Sequence, residues 1–220
     1  PAPACKYRKE QMGKFAVFSG FLGSGKTTTM MALTKYVTEK YGKAAMISND
    51  LGHGVTLADH RLAKLSGVNA SEITDNCICY VNELLAQRLD GYYDEGCILV
   101  VSDIPGFGVG ALEHVYHGLT EKYPGKFALA PFTVLTEPGT VEKLRGGAAG
   151  DLRYIYDTQL KEADLIVLNK CDLLTPEGRQ ADIAWLREHY PLAKTLALRA
   201  RTGEGLGALA RGRVGGEAGM

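Results

Sequence analysis

Short apolar runs alternate along this chain with segments in which apolar residues recur every three or four positions. Short continuous runs that are bounded by turn residues are typical of buried strands. They predict strands at Lys14–Ser19, Ala44–Ser48, Cys97–Ser102, Phe127–Leu135, Asp164–Leu168 and Leu192–Leu198.

Helical spacing predominates in several of the segments between these strands. It predicts helices at Thr27–Tyr41, at Val81–Leu89 and from Pro176 to Tyr190. Proline is favoured in the first turn of a helix, so the dipeptide Thr175-Pro176 is a good helix start. Strands that alternate with helices predict an α/β fold, with a doubly wound and mostly parallel sheet.

The length of 220 residues suits one large α/β domain. We expect a polar leader at 1–13, a folded domain at 14–206 and a glycine-rich tail at 207–220. The leader has charge but no apolar segment of the kind found in secretory signals. A helix is expected to begin near Leu206 and to be dissolved by the glycines that follow, so the tail is predicted to be disordered or truncated.

Charge and cysteine content argue against several classes of partner. Twenty-five basic and 25 acidic residues give a formal net charge of zero, whereas nucleic-acid binders usually show a basic excess. No apolar run approaches the ~18 residues that span a bilayer. The five cysteines are odd in number and scattered, unlike a disulfide framework. We therefore expect a cytoplasmic protein with reduced thiols that binds neither nucleic acid nor membrane.

The strongest chemical signal is the segment Gly20–Thr27, GFLGSGKT, which fits the phosphate-loop pattern G-x-x-x-x-G-K-S/T. It lies between a predicted strand and a predicted helix, as that motif requires. Small residues let backbone N–H groups surround phosphate oxygens, the lysine reaches the β- and γ-phosphates, and the threonine hydroxyl binds Mg²⁺. The residues expected to contact a nucleotide here are Gly20, Gly23, Ser24, Gly25, Lys26, Thr27 and Thr28.

The segment Asn169-Lys170-Cys171-Asp172 fits N-K-x-D and follows a predicted strand, at the end where α/β sheets bind ligands. One carboxylate can accept both N–H donors on the edge of guanine, which adenine does not offer, so Asp172 would select GTP and GDP. The Lys170 stem can pack along the base, and Asn169 can join neighbouring loops. Ala200 lies where GTPases place a loop that donates a backbone N–H to the base; a plain surface loop is the alternative.

The segment Asp103–Gly106 fits D-x-x-G after a predicted strand. Asp103 would hold Mg²⁺ through water, and the Gly106 N–H would contact the γ-phosphate; a simple β-turn is the alternative. Asp50 can position the attacking water, or it can cap a turn. No glutamine follows Gly106, so we expect slow intrinsic hydrolysis, with Lys26, Asp50 and Asp103 as catalytic residues.

The motifs GFLGSGKTT, ISNDLG, NCICY, ADLIVLNKCDLL and RARTGEGL, in this order, resemble the CobW/HypB/UreG family of metal-centre GTPases, and the CobW-like branch in particular. The resemblance spans about Lys14 to Leu206. It implies a P-loop NTPase domain, slow GTP hydrolysis, nucleotide-dependent homodimerisation and service to a client metalloenzyme or cofactor-dependent enzyme. Family members load or chaperone zinc, cobalt or nickel, or service metal cofactors such as corrinoids.

The sequence departs from the CobW-like pattern in three respects. Tyr80 stands where the usual C-x-C-C has its third cysteine, and Asp103 stands where the Walker B segment usually begins with glutamate. The usual second, C-terminal domain is also expected to be missing.

Cys77 and Cys79 precede the predicted helix at Val81, and amide dipoles at a helix N-terminus favour thiolates. Thiolates suit Zn²⁺, Co²⁺ or Ni²⁺, but two sulfurs do not complete a tetrahedral site. Further ligands could come from a second subunit or from His53, Glu113, His114 and His117. The alternative is a pair of small buried residues without metal.

Three functions fit these patterns. The leading hypothesis is a GTP-hydrolysing metallochaperone or cofactor-maturation factor. The second is a nucleotide-gated chaperone or switch without metal cargo. The third is a P-loop small-molecule kinase, against which the guanine-specific N-K-x-D pattern argues.

Overall fold

Within the residues that the structure describes, one sheet of eight strands forms the centre of the fold. The structure is a computed structural model, and it describes residues 13–49, 66–74, 76–147 and 150–214. The strands are β1 (Lys14–Ser19), β2 (Ala44–Asn49), β3 (Ala70–Ile73), β4 (Leu99–Asp103), β5 (Ala128–Leu129), β6 (Thr133–Thr136), β7 (Leu165–Leu168) and β8 (Lys194–Ala197). Their order is β3-β2-β4-β1-β6-β7-β8, with β5 paired to β1, and all of these pairs are parallel.

Helices follow most of the strands. Within the described residues they are α1 (Lys26–Lys40), α2 (Asn82–Asp94), α3 (Gly118–Lys122), α4 (Pro138–Arg145), α5 (Asp151–Lys161), α6 (Pro176–His189) and α7 (Leu206–Val214). A π-helical segment at Leu112–His117 leads into α3, and a 3₁₀ turn at Cys171–Leu173 follows β7. None of the described helices has the length and apolar character needed to cross a membrane.

Two apolar layers lie on opposite faces of the sheet. Successive residues of β1 alternate between them: Phe15 and Val17 pack in one layer, and Ala16 and Phe18 in the other. Helices α1 and α7 cover the second face, while α2, the π-helical segment, α4, α5 and α6 cover the first. The predicted doubly wound, mostly parallel α/β fold is therefore confirmed.

The predicted strand Phe127–Leu135 is wrong as one element, because β5 and β6 flank an irregular stretch that contains Pro131. Proline has no N–H to donate to a sheet. A buried tyrosine connects β1 to this irregular stretch. Val17 N–H donates to Tyr116 Oη at 3.1 Å, and this hydroxyl donates to the Ala130 carbonyl at 2.7 Å. The π-helical segment places Tyr116 at this point.

The expectation that glycines dissolve the helix after Leu206 is also wrong, because α7 runs to Val214. Leu209 and Ala210 are buried against the second face of the sheet, and this packing offsets the low helix propensity of glycine. A Cβ at position 207 would come 3.0 Å from the Tyr36 hydroxyl, so Gly207 allows α7 to approach α1. Helix α2 likewise continues through Gly91, beyond its predicted end.

The segments that follow the neighbouring strands β1 and β4 lie on opposite faces of the sheet. After β1 the chain forms α1 on the second face, whereas after β4 it forms the π-helical segment on the first face. The loops that leave these neighbouring strands therefore diverge and leave a crevice at their carboxyl ends. Open α/β sheets bind ligands at such a point.

Candidate functional site

A cleft of about 670 Å³ opens at this crevice. Its walls come from the end of β2 and from the loops after β1, β4, β7 and β8. The lining residues are Leu22, Gly23, Gly25, Lys26, Thr27, Thr28, Ser48, Asn49, Asp103, Ile104, Pro105, Gly106, Asn169, Lys170, Asp172, Leu173, Ala200 and Arg201. The structure thus brings together three motifs that lie far apart in the sequence.

The phosphate loop turns sharply into α1. Gly25 caps this helix without a side-chain hydrogen bond and has φ 93°, a left-handed conformation that favours glycine. A Cβ at this position would clash with the amide nitrogen of Asn169. The Lys26 ammonium donates to the Gly20 carbonyl at 2.6 Å, so it lies along the loop that would surround phosphates.

The N-K-x-D segment follows β7 and is held by its own side chains. Asn169 Nδ2 donates to the Ser24 carbonyl at 2.9 Å, and Asn169 Oδ1 accepts from the Ala200 N–H at 3.2 Å. Asn169 therefore joins the phosphate loop to the loop after β8, as its position in the sequence suggested. Lys170 adopts a left-handed conformation, with φ 58°, and its ammonium pairs with the Glu137 carboxylate.

The loop after β8 is a closed turn. Arg199 N–H donates to the Glu204 carbonyl at 2.9 Å, and the two side chains form an ion pair at 3.1 Å. Ala200 is buried at the cleft wall, with its N–H directed to Asn169. Asp172 is exposed on the same side of the cleft, in the 3₁₀ turn.

The D-x-x-G segment lines the cleft beside the phosphate loop. Asp103 is the last residue of β4 and 8% exposed, and its Oδ1 accepts from the Asn49 N–H at 3.0 Å. Gly106 packs against Leu22, where an added Cβ would come 2.8 Å from a methyl carbon. Gln159 Nε2 donates to the carbonyls of Gly106 and Gly108, at 3.1 and 2.9 Å, and so holds this loop against α5.

These residues fit a nucleotide with Mg²⁺. The uncapped first turn of α1 and the glycine backbone supply N–H donors for phosphate. Thr27 and Asp103 supply oxygen ligands of the kind that Mg²⁺ prefers, and both line the cleft. Asp50, the predicted water-positioning residue, lies outside the described residues, as do His53 and Cys5.

The cysteine pair lies in an irregular loop ahead of α2. The two sulfurs are 2.8 Å apart, and the hydrogen bond between them lowers the pKa of Cys77 to about 7 against the opposing effect of burial. The same hydrogen bond and burial raise the pKa of Cys79. Two sulfurs on one tetrahedral zinc ion, each at about 2.3 Å, are about 3.8 Å apart, so metal binding would require the thiols to separate.

Glu113, His114 and His117 do not form a metal site with this pair. No group of three His, Cys, Asp or Glu side chains within the described ranges is placed to hold one metal ion. Glu113, His114 and His117 lie exposed in the π-helical segment, where His117 and Glu113 approach to 3.9 Å. Within the described chain the pair therefore offers two sulfur ligands only.

Sequence reasoning gave Asn49 no role, yet it makes four hydrogen bonds. Its N–H donates to Asp103, its Oδ1 accepts from the Ile78 N–H, and its Nδ2 donates to the carbonyls of Ile73 and Asn76. A polar residue at the end of an apolar strand is a signal that could have pointed to it. Its partners could not be inferred, because they depend on how the loop before α2 folds back.

A family-level sequence model described as CobW/HypB/UreG, nucleotide-binding domain, matches residues 14–103. Hydrogenase maturation factor HypB from Archaeoglobus fulgidus is similar in structure over 90% of this chain and 87% of its own, with 20% identity and a TM-score of 0.57. HypB from Helicobacter pylori, solved in complex with nickel, is similar in structure over 96% of this chain and 93% of its own, with 18% identity and a TM-score of 0.62.

A Zn(II)-bound triple mutant of the YjiA GTPase, a protein of E. coli, is similar over 85% of this chain and 57% of its own, with 17% identity and a TM-score of 0.54. Curated proteins give no match.

The cleft, its phosphate loop and the doubly wound sheet define a P-loop nucleotide-binding protein. Residues 14–103 contain the phosphate loop, the cysteine pair and Asp103. This part of the chain is similar to the CobW/HypB/UreG nucleotide-binding domain.

Proposed function

We propose that this protein binds and slowly hydrolyses GTP, and that it uses the nucleotide to control the handling of a metal ion or a client enzyme. One observation supports the first part of the proposal above all others. The phosphate loop, D-x-x-G and N-K-x-D line a single cleft, although Lys26 and Asp172 lie far apart in the sequence. In this proposal the phosphate loop and D-x-x-G would contact the phosphates and Mg²⁺, and N-K-x-D would contact the guanine base.

Guanine selection is assigned to Asp172. Asn169 and the Glu137–Lys170 ion pair hold the turn that contains it, so the carboxylate has a fixed backbone position at the cleft wall. An ionised carboxylate accepts both N–H donors of guanine, whereas adenine presents an acceptor there. Ala200 lies at the cleft wall with its N–H donating to Asn169 Oδ1 at 3.2 Å, so a hydrogen bond from this N–H to the base would have to share or replace that bond.

Hydrolysis is assigned to Lys26, Asp103 and Asp50. The Lys26 ammonium would leave the Gly20 carbonyl and move to the β- and γ-phosphates, where its charge stabilises the transition state. Bound Mg²⁺ would supply further charge neutralisation, with Thr27 and Asp103 holding it. Asp50 is proposed to orient the attacking water. Phe107, rather than glutamine, follows Gly106, which supports a slow intrinsic rate.

Metal handling is assigned to Cys77 and Cys79, with Zn²⁺, Co²⁺ or Ni²⁺ as cargo. HypB from Helicobacter pylori was solved with nickel and the YjiA variant with zinc, which supports a metal-related role. The CobW-like branch rests on the C-x-C pattern alone. A client metalloenzyme, a nucleotide-dependent homodimer and a cytoplasmic location complete the proposal.

A second candidate function is a nucleotide-gated switch or chaperone without metal cargo. The cysteine geometry favours it, because the sulfurs are in contact and the described residues add no third ligand. Metal content after purification under reducing conditions separates the two functions. Stoichiometric zinc, cobalt or nickel supports the metallochaperone, and metal-free protein that still hydrolyses GTP supports the switch.

Phosphate release from GTP and from ATP tests the enzymatic part. We expect slow release from GTP and little from ATP. Lys26→Ala should reduce GTP hydrolysis by about 100-fold or more, since it removes the cation at the transferred phosphate. Lys35→Ala is the matched control, because Lys35 is exposed on the same helix and outside the cleft. Equal rates with the two nucleotides, or an unchanged rate in Lys26→Ala, would overturn the assignment.

A further inference from the structure

Asn49 lies between the candidate magnesium ligand and the loop of the cysteine pair. It is the last residue of β2 and 4% exposed. Its backbone N–H donates to Asp103 Oδ1 at 3.0 Å. Because β2 and β4 are parallel neighbours, this bond joins the ends of two strands that face the cleft. The main chain of Asn49 is therefore fixed by the carboxylate of Asp103.

The side chain of Asn49 holds the loop before α2. Its Oδ1 accepts from the Ile78 N–H at 3.0 Å, and its Nδ2 donates to the carbonyls of Ile73 and Asn76, at 3.1 and 2.7 Å. Ile78 lies between the two cysteines and is fully buried, so its N–H needs a partner within the protein. Regular secondary structure is absent from 76–81 in the described chain, so these bonds do much to order the loop.

The amide group of asparagine is what this position requires. It offers one acceptor for the Ile78 N–H and two donors for the two carbonyls. An aspartate would keep the acceptor but place a carboxylate oxygen against both carbonyl oxygens, which is unfavourable in a buried site. The residue type can therefore be tested by a substitution that keeps the size of the side chain.

We propose that Asn49 is a positioning residue that transmits the nucleotide state from Asp103 to the loop containing Cys77 and Cys79. The inference rests on the proposed function, because it takes Asp103 as the carboxylate that faces Mg²⁺ and GTP. A cation that fixes this carboxylate also fixes the Asn49 main chain, and the side chain of the same residue then fixes the Ile78 amide. Asn49 alone therefore connects Asp103 to Ile78, through its main chain on one side and its side chain on the other.

The rate of amide hydrogen exchange at Ile78 reports whether the nucleotide state reaches this loop, and the measurement needs no transition metal. In the unmodified protein with Mg²⁺, the peptide containing Ile78 should exchange more slowly with a non-hydrolysable GTP analogue than with GDP. A slowing of about 5-fold or more, the low end of typical coupling between sites, is expected. Because this comparison needs no variant, it holds even if substitutions at Asn49 impair folding.

Asn49→Asp should exchange rapidly at Ile78 in both nucleotide states and lose the difference between them. The matched control is Asn82→Asp. Asn82 is also a buried asparagine close to the cysteine pair, 8% exposed, but its Nδ2 donates to the His114 carbonyl at 3.4 Å instead of joining the path to Asp103. This control should keep the nucleotide-dependent difference.

Nucleotide affinity is measured on the same samples, so that the two failures can be distinguished. If the GTP analogue binds but Ile78 exchanges equally in both states, the connection is overturned while the proposed GTP site stands. Retention of the difference in Asn49→Asp, or its loss in Asn82→Asp to the same extent, would also overturn the connection. If neither nucleotide binds, the proposed function fails and this inference fails with it.

Discussion

Buried asparagines connect the loops of the cleft at the scale of single residues. Asn169 joins the phosphate loop to Ala200, and Asn49 joins Asp103 to Ile78. Each uses an acceptor and a donor at once, which an aspartate could not do. These bonds hold the loops of the cleft against one another.

Asp172 gives the sharpest prediction at this scale. Asp172→Asn replaces one carboxylate oxygen by an N–H donor, which repels one guanine N–H and suits the carbonyl of xanthine. Preference should move from GTP toward XTP by about 10–100-fold, the effect of losing one charged hydrogen bond. Competition binding with the two nucleotides measures the change.

Glu177→Gln, on the exposed first turn of α6, is the matched control for charge and should keep the preference for GTP. If Asp172→Asn discriminates between GTP and XTP as the unmodified protein does, then another residue recognises the base.

The motif residues of the cleft could be named from the sequence because each motif has a fixed spacing and follows a strand. The hydrogen-bond and ion-pair partners of those residues could not be named from the sequence. The ion pair of Lys170 with Glu137 joins two neighbouring loops, and the bonds from Gln159 to Gly106 and Gly108 join a helix to a loop. Such contacts depend on packing between elements, which a local pattern does not encode.

Elements with a strong apolar pattern were the ones that the sequence predicted. Helix α1 begins and ends within one residue of its predicted bounds, and β1 matches them. Strand β3, with the sequence ASEI, has no apolar run and forms because it pairs with β2 at the edge of the sheet. Helix α7 forms because its apolar side packs on the sheet, in spite of its glycines.

Arg213 anchors α7 and gives a prediction at the scale of this element. It is fully buried, it donates to the Thr133 hydroxyl and to the Leu209 carbonyl, and its guanidinium lies 5.1 Å from the ring centroid of Phe18. Burial lowers its pKa to about 10. Arg213→Ala should lower the free energy of unfolding by about 2–4 kcal/mol, because it leaves a cavity and removes the hydrogen bonds to the Thr133 hydroxyl and the Leu209 carbonyl.

Urea denaturation measures this loss. Arg213→Met keeps most of the volume without the buried charge and should cost less than Arg213→Ala. Arg211→Ala, at an exposed position of α7, should change the free energy of unfolding by no more than about 0.5 kcal/mol. If Arg213→Ala is as stable as Arg211→Ala, α7 does not depend on this anchor.

The topology of the whole molecule creates the site. Strands β1 and β4 are neighbours although β2 and β3 separate them in the sequence, and this arrangement brings the phosphate loop beside Asp103. Alternation of strands and helices predicted the fold class, but strand order follows from long-range pairing that no local pattern reports. The same topology brings the loop of the cysteine pair next to the end of β2. There Asn49 is hydrogen-bonded both to Ile78 in that loop and to Asp103 in the cleft.

We propose that nucleotide state and metal binding at the cysteine pair are linked, and metal titration by calorimetry measures this linkage. Zn²⁺, Co²⁺ or Ni²⁺ is titrated into the protein with Mg²⁺ and either a non-hydrolysable GTP analogue or GDP. Because linkage is reciprocal, affinity should be about 5–150-fold tighter with the GTP analogue, and the site should be lost in Cys77→Ser/Cys79→Ser but kept in Cys97→Ser. Identical affinities in the two nucleotide states, or an unchanged site in the double variant, would exclude a nucleotide-linked metal site at the cysteine pair.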